Sequence, residues 1–138
     1  MSLVVPEDWV QFVAVWLRAQ SELNLPRIYA HRLPSAKTYP LMRTSRVAGG
    51  VRDGTMGWVH DPAIQFDAWA KTETEAYSTG EIAAALMGQR FNGKLTIATR
   101  SIVCSHVNVG GVHQGYDETD PSLAHAQFTT VLTAHPAS

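Results

Sequence analysis

Ile64-Gln65-Phe66-Asp67-Ala68-Trp69-Ala70 is the stretch on which the fold turns. Ile64, Phe66, Ala68 and Ala70 alternate with Gln65, Asp67, Trp69 and the following Lys71. Apolar residues at every second position mark a strand with one face in a core. Asp67 falls on the less apolar face, and no partner carboxylate for acid–base work can be read near it. Asp67→Asn is therefore expected to leave function largely intact.

Downstream, Thr72 to Thr74 place hydroxyls ahead of Glu75, as at a helix start. Ala76, Gly80, Ala83, Ala84 and Met87 then share a face, flanked by Tyr77 and Leu86. The spacing predicts a helix from about Thr74 to Leu86, stopped by Gly88. Its small residues allow close approach to a sheet. Arg90 to Lys94, with Asn92-Gly93, reads as a turn. Arg100 to Val109 is rich in β-branched residues and reads as a strand, broken by Gly110-Gly111. Tyr116 to Ser122 is a polar loop. Leu123 to Ala134 alternates again, with Ala126, Phe128, Thr130 and Leu132 on one face, and forms the last strand.

Upstream, Pro6-Glu7-Asp8 suits the first turn of a helix. Trp9, Phe12, Val13 and Trp16 repeat at three- and four-residue spacing, with Leu17 and Leu23 extending the face. This amphipathic helix is expected to end before Asn24-Leu25-Pro26. Arg27 to His31 reads as a short strand, Leu33 to Pro40 as a loop between two prolines, and Leu41 to Val47 as a second strand. Glycines at 49, 50, 54 and 57 mark a long hairpin tip. Trp58 and Val59 lead past Pro62 into the strand from Ile64. The order helix, strands, helix, strands gives an α+β class: one domain spanning 1–138, a mixed or antiparallel sheet, and two helices on one face.

A net charge of −1 provides no basic excess for gripping duplex phosphates. Cys104 is the one cysteine, so an intramolecular disulfide is excluded; within Ile102-Val103-Cys104 it reads as a small buried hydrophobe. Met1 to Pro6 lacks the basic and apolar regions of a signal peptide, and no apolar run approaches the ~20 residues that span a bilayer. No signal peptide and no membrane partner are expected.

Templates for chemistry fail one by one. The histidines (31, 60, 106, 113, 125 and 135) form no HExxH pair and no Cys/His cluster, so no metal is expected. His60-Asp61 reads as a surface loop pair. His106 and His125 are candidates for a cross-strand polar pair. Asp117, Glu118 and Asp120 lack the ligand series of a calcium loop. Gly49-Gly50 and Gly110-Gly111 lead into no helix as a phosphate loop would, and Ser45, Ser101 and Ser105 lack a G-x-S-x-G elbow. No catalytic residue and no cofactor is expected.

Taken in order, several stretches resemble the tail terminator, or tail-completion, proteins of long-tailed phages. They are the N-terminal helix through Val10 to Leu17, the segment Arg27-Ile28-Tyr29 before a proline-bearing loop, and Tyr39-Pro40-Leu41 through Arg46-Val47-Ala48-Gly49-Gly50. Ile64 to Ala70 follows as the central strand, then a helix with Glu75-Ala76-Tyr77 and Ala83 to Leu86, and the late strands Val103 to Val109 and Ala126 to Val131. The resemblance covers nearly the whole chain through an ordered series of weak signals, of which Gln65 to Trp69 is the most telling.

The resemblance implies a job without catalysis. Such proteins form a ring of copies of themselves, a hexamer in the well-described members, on the head-proximal end of the tail tube. The ring stops tube growth and joins the major tail tube protein to a head-completion or neck protein. Double-stranded DNA passes through its lumen without sequence-specific binding. The expected location is the virion tail, and the host cytoplasm during assembly. Tyr39, Arg52, Asp53, Met56, Trp58 and His60 are the candidate interface residues, with Tyr39, Met56 and Trp58 either anchoring contacts or packing on their own domain. Two rival functions stay open: a neck connector or head-closure ring protein, and a small enzyme or ligand-binding domain.

Overall fold

A computed structural model describes residues 8–52, 60–115 and 122–136. Along the chain run α1 (Trp9–Arg18), β1 (Ile28–Ala30), β2 (Leu41–Arg52), β3 (His60–Ala70), α2 (Glu73–Arg90), β4 (Gly93–Ile97), β5 (Arg100–Val109), β6 (His113–Gln114) and β7 (Ala124–Pro136). Among the described residues they build one seven-stranded sheet in the order β1-β2-β3-β7-β5-β4, with β6 also paired to β7. Only β1–β2 is parallel. The chain is α+β, as the element order implies.

Both helices lie on one face. α2 packs on β3, β7 and β5, while α1 packs on β1 and β2 and also touches β4 at the opposite edge. The sheet therefore curls, and α1 sits in the opening between its two edges. Covering exposed edges with a helix removes the template they offer to other strands.

Asp8 caps α1, accepting from the Gln11 backbone N–H at 3.0 Å. Pro6 and Glu7 lie outside the described residues. The helix ends at Arg18, short of the predicted Asn24, because its last turn tightens. Ala19 N–H bonds Trp16 O and Gln20 N–H bonds Leu17 O, each three residues back. Leu23 and Leu25 remain buried beyond the helix.

Thr72 caps α2 through Glu75 N–H, as the hydroxyl run suggests. Gly88 does not stop this helix, which continues to Arg90. The stop is the buried Phe91, whose ring meets Trp16 at 5.0 Å and Phe12 at 6.3 Å, both edge-on. Gly93, at φ +69°, then makes the turn that a side chain would strain. Asn92-Gly93 leads directly into β4, which together with β6 has no sequence prediction behind it.

The alternation in β3 is real. Ile64, Phe66, Ala68 and Ala70 join the helix-covered core, where Phe66 and Phe128 pair in register and stack at 4.5 Å, 2° from parallel. Burying each such ring contributes about 1.5–3 kcal/mol. Thr44 is fully buried in this layer, but its hydroxyl donates to Val10 O at 3.1 Å, which satisfies it and ties β2 to α1.

β5 contains a bulge. Cys104 pairs with Ala134 but His106 with Thr133, so Ser105 is the extra residue. Inward-facing residues are even-numbered before it (Ile102, Cys104) and odd-numbered after it (Val107, Val109). Cys104 is buried, as expected, and burial pushes its thiol pKa up. The expected His106–His125 cross-strand pair does not form: β5 and β7 are neighbours, but the register sets His106 opposite Thr133, eight positions along β7 from His125, which meets Trp69 of β3.

Candidate functional site

The other face of β2, β3 and β7 carries the structure's densest polar chemistry. Strand pairing sets Arg43 beside Asp67 and Asp67 beside Gln127, and one step along sets Leu41 beside Trp69 and Trp69 beside His125. Asp67, expected on a merely less apolar face, is 0% exposed. His125 Nε2 donates to its Oδ1 at 2.8 Å, Gln65 Nε2 lies 3.2 and 3.1 Å from the two oxygens, and Arg43 donates to Oδ2 at 3.2 Å. Burial alone would raise the Asp67 pKa. Hydrogen bonds from His125, Gln65 and Arg43 outweigh it and hold the carboxyl below its ordinary value.

Aromatic stacking locks the same groups. The His125 imidazole lies on the Trp69 ring at 4.5 Å and 17°, and the Arg43 guanidinium sits 5.3 Å from the Trp69 ring centre. Just after β6, Gly115 N–H bonds His125 O at 2.9 Å. A Cβ on Gly115 would fall 2.5 Å from two atoms of the imidazole, so the residue here has to lack one.

An ionised Asp67 accepts at both oxygens, so His125 carries its proton on Nε2. That leaves Nδ1 for any proton transfer, and Nδ1 is buried with no hydrogen-bond partner among the described residues. Trp69 Nε1 and Arg43 Nε are likewise buried without a partner among the described residues. An Asp–His pair acts as a base only where its free nitrogen can reach a reacting group. In this arrangement the charged groups tie three strands together, and the imidazole is a strut.

Of the sequence-predicted interface residues, Tyr39, Arg52 and His60 fall within the described residues, and their backbone positions lie at the two ends of β2. Arg52 and His60 pair at the distal end of the β2–β3 ladder. Tyr39 lies half-buried just before β2, at the opposite end of that strand. At ~3.3 Å per residue, the length of β2 separates the two positions by roughly 30 Å or more. Asp53, Met56 and Trp58 fall outside the described residues, as do the acidic positions Asp117, Glu118 and Asp120. The hairpin itself is present, since Arg52 pairs with His60 across it.

A shallow groove of about 180 Å³ lies between the α1–β1 connection and α2. It is lined by Glu22, Ile82, Ala85, Leu86, Gln89 and Arg90, with Glu22 and Arg90 paired at 2.7 Å. It falls below the ~300–1,000 Å³ typical of small-molecule sites. Among the described residues no group of three or more His, Cys, Asp or Glu side chains is placed to hold a metal, and no helix is long and apolar enough to cross a membrane.

No sequence signal marks the Asp67 cluster, because Arg43 and His125 lie 24 and 58 positions from Asp67 along the chain. Only strand register brings them together.

Compared with models of protein families and with curated proteins, the sequence matches none. Among solved structures it is similar to a chain from the "Virion of native gene transfer agent (GTA) particle", at 15% identity and a TM-score of 0.48, over 94% of this chain and 99% of that chain.

Proposed function

We propose that this chain is a structural virion protein of the tail-terminator kind, a non-catalytic subunit of a ring that caps the head-proximal end of a phage-like tail tube. The observation that carries the reading is the succession of elements. A short amphipathic helix, a short strand, a long β2–β3 hairpin, a small-residue helix and the late β5–β7 pair follow one another in the order on which the sequence resemblance rests. The ring would halt tube polymerisation, meet a head-completion or neck protein, and leave a lumen for DNA. A net charge of −1 suits a channel through which DNA slides.

A mixing experiment tests this. Purified chain is added to polymerising tail-tube protein and tube length is measured by electron microscopy. A terminator shortens the tubes and is found at one end of each; unaltered tubes with no bound chain would overturn the proposal. The β2–β3 hairpin is the proposed contact with the adjacent ring. Deletion of residues 52–57 is expected to abolish capping while circular dichroism still reports a folded sheet.

A further inference from the structure

Charge is unevenly distributed along this chain. Between Glu22 and Asp53 there is no Asp or Glu, yet Arg27, Arg32, Lys37, Arg43, Arg46 and Arg52 fall there, six of the eleven Lys and Arg residues. Folding puts this stretch on one flank, since β1 is an edge strand and β2 its neighbour. His31 N–H bonds Thr44 O, which brings Arg32 alongside the Thr44–Arg46 part of β2. Arg43 is engaged by Asp67, and Arg27 is half-buried and donates to Pro40 O. Arg32, Lys37 and Arg46 are exposed and take part in none of the ion pairs among the described residues.

The complementary charge lies on α2, which packs on β3, β7 and β5 and not on the basic flank's β1. Glu73, Tyr77 and Glu81 follow one another at four-residue spacing and so share a stripe of α2. Gly88, two turns beyond Glu81 on the same stripe, has its Cβ direction 3.5 Å from Val109 of β5. The stripe therefore looks toward the β5 side, with β3 and β7 between β5 and the basic flank. Glu73 and Glu81 are exposed and also take part in none of those ion pairs. Lys94 and Arg100 belong to the β4–β5 hairpin, toward the opposite end of β5 from Val109.

We propose that copies of this chain contact one another head to tail, with the basic β1–β2 flank of one seated on the acidic α2 stripe of the next. Two different surfaces of one subunit make a heterologous contact, the kind that closes into a ring. Opposed charges steer such an encounter and set its register. That the assembly is a ring rests on the terminator reading; that these two flanks meet rests on their charge and placement alone.

Two reversed chains test the contact. One carries Arg32→Glu with Arg46→Glu, the other Glu73→Lys with Glu81→Lys, each with its fold checked by circular dichroism. Neutral Glu73→Gln with Glu81→Gln serves should reversal at the α2 N-terminus unfold the helix. Sedimentation at low ionic strength is expected to show wild type associating, and dissociating as salt shortens the Debye length from ~30 Å at 0.01 M to ~8 Å at 0.15 M. Each reversed chain alone stays monomeric, and an equimolar mixture of the two associates again. A wild type that is monomeric at low salt, or reversed chains that each associate as well as wild type, would overturn the proposal. So would a basic-flank variant that associates normally and loses only its retention on duplex DNA, which would assign the flank to phosphates. Variants that fail to associate yet still cap tail tubes would sink the contact and spare the terminator reading. Assemblies that form as described yet never cap a tube would do the reverse.

Discussion

Phe66 and Asp67 are neighbours in β3 and both are 0% exposed, but opposite physics holds them in place. Phe66 points into the helix-covered layer and stacks on Phe128. Asp67 points the other way, into a network of Arg43, Gln65 and His125 braced by Trp69. The apolar layer is non-directional and tolerates small shifts of its parts. The polar layer has fixed geometry and loses heavily when one partner goes, because a buried charge is left behind. One face thus supplies most of the stability, while the other locks the register of β2, β3 and β7, since a slip of one residue would carry Asp67 into the core.

The largest expected effect breaks the apolar side. Phe128→Ala removes a buried ring together with its stacking partner's contact and leaves a cavity beneath α2. It should cost about 3–5 kcal/mol, read from urea or thermal unfolding. A loss below about 1 kcal/mol would mean that the two faces are not divided in this way.

Next comes the polar side. Asp67→Asn keeps the shape but removes the charge that Arg43 and His125 face. Arg43 is partly exposed and water relieves some of the loss, so about 2–3 kcal/mol is expected at neutral pH. This loss of stability is separate from the expectation from sequence that the substitution leaves function largely intact. The sign of the pH dependence follows from the depressed Asp67 pKa. A carboxylate held below its unfolded value of about 3.9 contributes stability that is complete above that pH and lost as pH falls through the folded value. Wild type should therefore lose more stability than Asp67→Asn on acidification below about pH 4. Parallel stability–pH curves for the two proteins would show that Asp67 is not the group responsible.

The contrast also explains what was legible beforehand. Periodicity reports one strand at a time, so the alternation of Ile64 to Ala70 and of Ala126 to Leu132 gave the apolar face residue by residue. The polar face depends on register between strands, and Arg43, Asp67 and His125 carry no local mark of their alignment. Gly88 looked like a helix stop because glycine often is one, yet Phe91's fit against Trp16 and Phe12 outweighed that local preference and let the helix run on. β4 was hidden behind the Asn92-Gly93 turn signal, whereas β5 was legible over Arg100 to Val109 from its β-branched residues, although the Ser105 bulge switches which of them face inward. The segregation of Lys and Arg between Glu22 and Asp53 stood in the sequence all along. It gains meaning only once β1 and β2 are seen to form one flank.

A smaller effect sharpens the polar side's rigidity. Gly115→Ala would place a methyl 2.5 Å from the His125 ring, and Trp69 closes off retreat on the ring it stacks against. Overpacking of this kind costs about 1–3 kcal/mol. The double variant with His125→Ala should recover that part of the loss in a double-mutant cycle. Simple additivity would mean that the imidazole moves aside freely and is no strut.

The smallest effect concerns Trp69, where the two kinds of burial meet in one side chain. Its ring is an apolar plate between Arg43 and His125, while its indole N–H is buried without an acceptor among the described residues. Trp69→Phe keeps an aromatic face and removes the unsatisfied donor. The lost area and the weaker cation–π contact oppose relief of a desolvated N–H, so the terms nearly cancel and the change should stay within about 1 kcal/mol. Trp69→Leu removes the donor too but also the stacking surface, and should cost more than Trp69→Phe. Equal losses for the two variants would assign Trp69's contribution to its volume alone, and the polar layer would then be held by its hydrogen bonds without the stack.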